Sequence, residues 1–146
     1  MPYVVHAHTT GEGVAEITAR DATIVFDRSW PDSEHRLLPG PGEMLAAAFA
    51  ACAIKNVERF SRMLPFAYER AEIDVELHRN DQPSRFDRID YTLRIITDEP
   101  PARVDLLAKN LTKHGTVYNT LAAGSEINGH IETTPTRSPT SVSTWR

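Results

Sequence analysis

The chain opens with three short segments whose residue patterns are typical of β-strands. Over residues 3–9, every second residue belongs to the same set, as expected when successive side chains point to opposite faces of a strand. The segments 14–20 and 23–27 are rich in β-branched residues. A period of two and β-branched side chains both favour extended structure. Residues 11–13 predict the turn after the first strand, and residues 21–22 predict the connection between the other two.

A loop and a long helix are predicted next. Residues 30–42 contain three prolines and two glycines, which exclude regular structure, so we expect an irregular loop. The helix is predicted from about residue 42 to residue 63, since a proline and Glu43 lie where helix N-termini favour them. Pro65 ends it, because the residue before a proline is pushed out of the α region.

The first half of this helix, residues 44–54, is apolar on every face, whereas the second half is amphipathic. A helix that is apolar all round must be surrounded by protein. One sheet of so small a chain covers one side only. We therefore expect the other side to face a partner subunit.

The rest of the chain predicts a strand pair, two helices and a last strand. Residues 71–78 and 89–95 alternate cleanly around a turn at 80–83, and residues 101–114 have helical periodicity. The remaining elements are a short helix over 117–123, capped by Thr116 and closed by Gly124, a strand over 125–133 and a poorly ordered tail over 134–146. The order βββαββααβ predicts an α+β fold in a single domain, residues 1–133.

Composition narrows the class of protein. With 146 residues, 16 basic and 20 acidic side chains and 40% hydrophobic residues, the chain has the balance of one globular domain. A net charge of -4 offers no basic surface for nucleic acid, which we exclude as a partner. The longest apolar run, eleven residues, is shorter than the roughly 20 that cross a bilayer, and no signal-peptide pattern is present. The single cysteine excludes an intrachain disulfide, so we expect a cytoplasmic protein without membrane contact.

That cysteine, Cys52, has two interpretations. Free cysteines are often small buried hydrophobes, and this one lies between two alanines. A reactive thiol would need a cation from elsewhere in the fold, most plausibly an arginine, because Cys52 is about ten residues beyond the helix N-terminus and its dipole.

Glu43 precedes Cys52 by nine residues, which is about 13 Å along a helix. The two can share a site only if the helix begins later and the loop folds back, or if they come from different subunits. Glu43 is equally explained as an acid of the first turn, stabilised by the helix dipole.

No metal or cofactor is predicted. His6 and His8 share one face of the first strand, but no HxxxH, HExxH or His-carboxylate spacing accompanies them, and a solvated strand face is the simpler interpretation. The glycines at 11–13 and 40–42 lack the features of a phosphate-binding loop, and no G-x-S-x-G motif is present.

Two segments resemble motifs of the OsmC/Ohr family. Residues 40–52, Gly-Pro-Gly-Glu-Met-Leu-Ala-Ala-Ala-Phe-Ala-Ala-Cys, are similar to a helix in which a Pro and a Glu precede an Ala/Leu-rich stretch that ends at a cysteine. Residues 114–121, His-Gly-Thr-Val-Tyr-Asn-Thr-Leu, are similar to the family's His-Cys-Pro-Val-x-Asn-Thr-Leu segment. The predicted order of elements agrees with the family over residues 3–133.

The resemblance implies an OsmC-like fold, with antiparallel sheets around a long buried central helix in an intertwined homodimer. It implies that Cys52 attacks an organic hydroperoxide and becomes a sulfenic acid, with an arginine and a glutamate as activating groups. Glu43 matches the glutamate of one subgroup, whereas the Ohr branch has it one place earlier. Arg20 matches an arginine of the general OsmC-like pattern, and the arginine turn of Ohr proteins is replaced here by residues 11–13.

The family's second cysteine is replaced here by Gly115. Without a resolving thiol, a sulfenate on Cys52 depends on an external thiol reductant or oxidises further. Gly115 also fits the C-cap of the preceding helix. Two functions follow: a one-cysteine reductase of organic hydroperoxides in oxidative-stress defence, or a non-peroxidatic dimer that binds a small apolar ligand near Cys52.

Overall fold

The computed structural model describes residues 2–30 and 37–136, which belong to two compact units. Residues 1–45 form the N-terminal unit and residues 46–146 the C-terminal unit. The predicted single domain over residues 1–133 stays a prediction. Parts of the predicted loop and tail, residues 31–36 and 137–146, lie outside the described residues. None of the helices in the described ranges is long and apolar enough to cross a membrane.

The N-terminal unit holds an antiparallel three-stranded meander of β1 (His6–Thr9), β2 (Val14–Ala19) and β3 (Ala22–Asp27). The three predicted strands are confirmed, although β1 begins at His6 rather than at residue 3. The second turn lies one residue earlier than predicted, because Arg20 takes the left-handed conformation, with φ 55°, and reverses the chain there.

Little of this meander is buried. Ala15 is its buried hydrophobic residue within the described part of the unit, whereas Ile24 and Val25 on β3 are 43% and 39% exposed. Gly13 provides the positive φ of the first turn, where the Thr10 N–H donates to the Val14 carbonyl oxygen at 3.2 Å. The described strands therefore present partly exposed apolar side chains.

The predicted long helix is confirmed as α1 (Pro41–Met63). It begins one residue earlier than expected, because Pro41 occupies the first helical position, where a missing N–H costs nothing. Its predicted burial on every face is not confirmed. Phe49 and Ala53 are buried, but Ala47, Ala48 and Ala51 are exposed.

The sheet of the C-terminal unit has the order β4 (Arg70–Asp81), β5 (Ser84–Ile96) and β6 (Glu126–Thr134). β4 and β5 pair antiparallel, whereas β5 and β6 pair parallel. The prediction of antiparallel sheets is therefore wrong for β5 and β6. Two helices separate these strands in the sequence, and such a crossover returns the chain to the same end of the sheet.

Those two helices are α2 (Pro101–His114) and α3 (Thr116–Ala122). Gly115, rather than Thr116, is the N-cap of α3, and its C-cap is Ala123 rather than Gly124. The predicted tail also begins one residue too early, since Thr134 is the last residue of β6.

The core of the C-terminal unit joins α1, β5 and α2. Its buried members are Val57, Phe60, Phe66, Leu93, Ile95, Leu107 and Leu111. The apolar face predicted for α2 supplies Leu107 and Leu111, with Val104 packed against the cluster. Two three-stranded sheets and three helices confirm the predicted α+β class, and this core fixes the middle of α1 against the end of α2.

Candidate functional site

Cys52 is half-buried in the middle of α1, beside a small cavity. The cavity volume is about 10 Å³, which is about the space of one water molecule. Its lining carries no charged side chain and consists of Phe49, Cys52, Ala53, Asn56, Tyr91, Leu111 and Tyr118. The sulfur therefore lies in mostly apolar surroundings with one amide among them.

Asn56 is the polar side chain that reaches the sulfur. It lies one helical turn after Cys52 and is 7% exposed. Its Nδ2 donates to the Cys52 carbonyl oxygen at 2.8 Å and to Cys52 Sγ at 3.5 Å. Our sequence reasoning missed Asn56, although a polar residue four positions after the cysteine, on the same helix face, was a signal for it.

Gly115 also lies close to the sulfur. A Cβ at Gly115 would be 3.5 Å from Cys52 Sγ, so the two motifs that resemble the OsmC/Ohr family meet in space. The same Cβ would be 2.6 Å from the Leu111 carbonyl oxygen and 2.8 Å from Tyr118 Cβ. Gly115 is the C-cap of α2, as expected, but its φ of -74° is open to any residue. The close approach, and not the backbone conformation, requires glycine here.

Three aromatic rings close the cavity. Phe49 contacts Tyr91 and Tyr118, with ring centroids 5.5 Å and 5.7 Å apart. Burial raises the pKa of Tyr91, helped by the nearby Tyr118, and burial also raises the pKa of Tyr118. Both phenols therefore keep their protons at neutral pH, and the cavity walls stay uncharged.

Glu43 and Arg20, the other two predicted site residues, belong to the N-terminal unit. Glu43 lies in the first turn of α1 and accepts the Gly40 N–H at 2.8 Å through Oε1. Because α1 already begins at Pro41, a later helix start does not bring Glu43 to Cys52. Arg20 lies in the turn between β2 and β3. Their roles at the thiol stay predictions.

The sheet of the C-terminal unit carries a His-carboxylate cluster that the sequence spacing did not reveal. Glu76, His78 and Asp90 each bring one potential ligand atom within 4.8 Å of the other two. They come together because Glu76 lies opposite Asp90 in the β4–β5 register, with His78 next along the same face. Asp90 is already engaged by Arg88 at 3.2 Å and by Asn128 at 3.2 Å. The absence of a metal site, predicted from spacing alone, stays a prediction.

Cys52 thus lies half-buried on one helix, beside the junction of two further helices, in an α+β fold. A family model described as OsmC-like protein matches residues 33–129. The match spans more than half of the chain, and the chain belongs to the OsmC-like family.

Solved structures share this fold. An OsmC like protein from Mycoplasma pneumoniae superposes with a TM-score of 0.80 at 15% identity, over 94% of this chain and 99% of that one. An organic hydroperoxide resistance protein OsmC from Legionella pneumophila gives a TM-score of 0.67 at 13% identity, over 89% and 97%. The organic hydroperoxide resistance protein OhrB of Bacillus subtilis gives 0.62 at 19% identity, over 89% and 98%. At these identities the likeness establishes the fold alone. A search of curated proteins found no match.

Proposed function

We propose that this protein is a one-cysteine reductase of organic hydroperoxides, with Cys52 as the nucleophile. The observation that carries the proposal is that Cys52 Sγ lies 3.5 Å from a buried amide donor and that a side chain at the position of the family's second cysteine would begin 3.5 Å from it. Two proteins of the same fold are described as organic hydroperoxide resistance proteins. A role in oxidative-stress defence follows from the same reaction.

The chemistry has three steps. The Cys52 thiolate attacks the terminal peroxide oxygen, the O–O bond breaks, and the alkoxide leaves as an alcohol after taking a proton. Cys52 is oxidised to a sulfenic acid and the hydroperoxide is reduced. One external thiol then condenses with the sulfenic acid and releases water, and a second external thiol reduces the mixed disulfide and leaves as a symmetrical disulfide.

An external reductant is part of the proposal because Gly115 holds the place of the resolving cysteine. A side chain there would meet the Leu111 carbonyl oxygen at 2.6 Å, which is closer than real Cβ contacts allow. The fold around α2 and α3 is therefore built for glycine, and the resolving sulfur comes from another molecule.

Arg20 and Glu43 are proposed as the cation and its orienting acid, contributed within a homodimer. The uncharged lining of the cavity makes an imported cation useful, since an adjacent guanidinium favours a thiolate. Exposed alanines on α1, at 47, 48 and 51, and the partly exposed Ile24 and Val25 on β3 are apolar surface that a second copy would cover.

The apolar lining also favours a second candidate, in which the dimer binds a small apolar ligand beside Cys52 without peroxide chemistry. The small cavity volume favours the first candidate. About 10 Å³ accommodates the terminal oxygen of a hydroperoxide, whereas an apolar ligand of several carbons would require the aromatic walls to move apart.

The test is consumption of cumene hydroperoxide by purified protein with excess dithiothreitol. We expect turnover by the wild type and by Ser61→Ala, a control on the same helix, and none above background by Cys52→Ser. Dimedone should add once to the peroxide-treated wild type and not to Cys52→Ser. Equal slow consumption by the wild type and Cys52→Ser would sink the proposal, and a co-purifying molecule in native mass spectrometry would then support the ligand-binding candidate.

A further inference from the structure

We propose that Asn56 is a positioning residue for the Cys52 thiolate, holding the sulfur in place by donating a hydrogen bond from a neutral amide. The inference rests on the proposed function, because it gives Cys52 a reactive role. It assigns part of the activation of the Cys52 thiol to a residue of α1, in addition to any cation that lies near the sulfur.

The Asn56 side-chain nitrogen lies within hydrogen-bond distance of two acceptors of Cys52. Its Nδ2 is 2.8 Å from the Cys52 carbonyl oxygen, and that bond tethers the amide to the preceding turn of α1. The same nitrogen is 3.5 Å from Cys52 Sγ, within the range of hydrogen bonds to sulfur. An asparagine Nδ2 carries two N–H donors, which suffice for both acceptors.

Burial of the Asn56 amide destabilises the fold unless the amide makes hydrogen bonds. Asn56 is 7% exposed in a helix interior, where asparagine is a weaker helix former than leucine or alanine. A buried amide without partners destabilises a protein, whereas one with both hydrogens bonded does not. Packing alone would be served better by an aliphatic side chain of the same size.

The bond to sulfur becomes stronger when the thiol loses its proton. Hydrogen bonds to an ionised acceptor are roughly twice as strong as those between neutral groups, so the amide stabilises the thiolate over the thiol. No charged side chain lines the cavity, and the titratable groups that face it, Tyr91 and Tyr118, have pKa values raised by burial. Asn56 is a neutral donor of the cavity lining, and the structure places its side-chain nitrogen within hydrogen-bond distance of the sulfur.

Alkylation of Cys52 by iodoacetamide, measured against pH, tests the inference without any peroxide. In Asn56→Leu, we expect alkylation at pH 7 to slow about tenfold and the midpoint of the pH profile to move up by about one pH unit, from loss of a bond to a charged acceptor. Asn56→Asp, which puts an anion beside the sulfur, should slow it further, and Asn56→Gln, which keeps an amide, should restore part of the rate. Asn110→Leu on α2 is the control and should match the wild type.

Profiles of Asn56→Leu and Asn56→Asp that overlay the wild type within twofold would overturn the inference, since a purely structural amide would leave the profile in place. If the variants fail to fold, a measurement on the wild type tests the inference instead. The side-chain amide protons of Asn56, observed by nuclear magnetic resonance, should shift over the same pH range as the alkylation profile, and amide signals that stay constant through that range would equally contradict it. If peroxide turnover is absent while the profile shifts, the proposed function fails and the role of Asn56 stands.

Discussion

The two faces of the β4–β5–β6 sheet differ in what they offer a reaction. On one face, Tyr91 of β5 lines the cavity beside Cys52, where no side chain is charged. On the opposite face, the neighbouring residue Asp90 lies among ion pairs, with His78 Nε2 2.9 Å from its Oδ2. Successive side chains of β5 point to opposite faces of the sheet, so the same strand has apolar surroundings on one face and a charged network on the other.

The difference between the two faces indicates which residues can affect the reactivity of the Cys52 thiol. Charges on the outer face are half-exposed and screened by water, so single pairs there contribute little to stability. On the side of the cavity, steric fit is decisive, because Gly115 between α2 and α3 and Gly129 on β6 leave no space for a side chain without movement of their neighbours. We therefore expect small changes on the inner face to have large effects, and charge changes on the outer face to have small ones.

The largest effect is expected from Gly115→Ala. The added Cβ would meet the Leu111 carbonyl oxygen and Tyr118 Cβ, and the first of these is backbone that cannot swing away. Overpacking of this kind should lower the free energy of unfolding by about 3 kcal/mol in urea titration. Gly124→Ala is the matched control, since nothing lies within 4 Å of the new Cβ, and should change stability by less than about 0.5 kcal/mol. Equal stability of the two variants would contradict this prediction and show that the backbone between α2 and α3 shifts to accommodate the added Cβ.

A smaller effect is expected from Gly129→Ala on β6. Gly129 lies opposite Tyr91 in the β5–β6 register, and its Cβ would overlap the outer end of the Tyr91 ring. A ring end can rotate, so the expected loss is about 1 kcal/mol in urea titration, with a changed rate of Cys52 alkylation because Tyr91 lines the cavity. In a Tyr91→Leu background the cost should largely disappear. A cost that persists there would come from the strand backbone and not from the ring.

Much of the fold could be predicted from the sequence, because periodicity reports which faces are buried. The alternation of β4 and β5, the bounds of α1 and the apolar face of α2 follow from local patterns, and the structure confirms them. The parallel pairing of β6 with β5 could not be read in the same way, since a strand of nine residues carries no signal for the direction of its neighbour. The parallel direction of β6 follows from the crossover of the chain through α2 and α3.

The candidate site was predicted less completely. Cys52 and the place of Gly115 beside it follow from motif resemblance, and the 3.5 Å approach confirms that the two motifs meet. Asn56 was missed because an isolated amide in a helix pattern gives no periodicity. The cluster of Glu76, His78 and Asp90 was missed because its members come from two strands, and their proximity depends on the strand register.

The smallest effect is expected on the outer face, from Asp90→Asn. Hydrogen bonding from Asn128, with the nearby charges of Arg88 and His78, holds the pKa of Asp90 below its usual 3.8. A carboxylate with a lowered pKa in the folded state stabilises the fold above the unfolded pKa, and that contribution is lost as the pH falls through the folded pKa. Asp90→Asn should therefore be slightly less stable than the wild type at pH 7 in urea titration, and the difference should begin to shrink near pH 3.8 and vanish as the pH falls through the lower folded pKa. Asp87→Asn removes an exposed carboxylate from the same strand and is the matched control for loss of a surface charge at pH 7. A difference that grows as the pH falls would mean that Asp90 is held in its protonated form, and the outer face would then resemble the inner one.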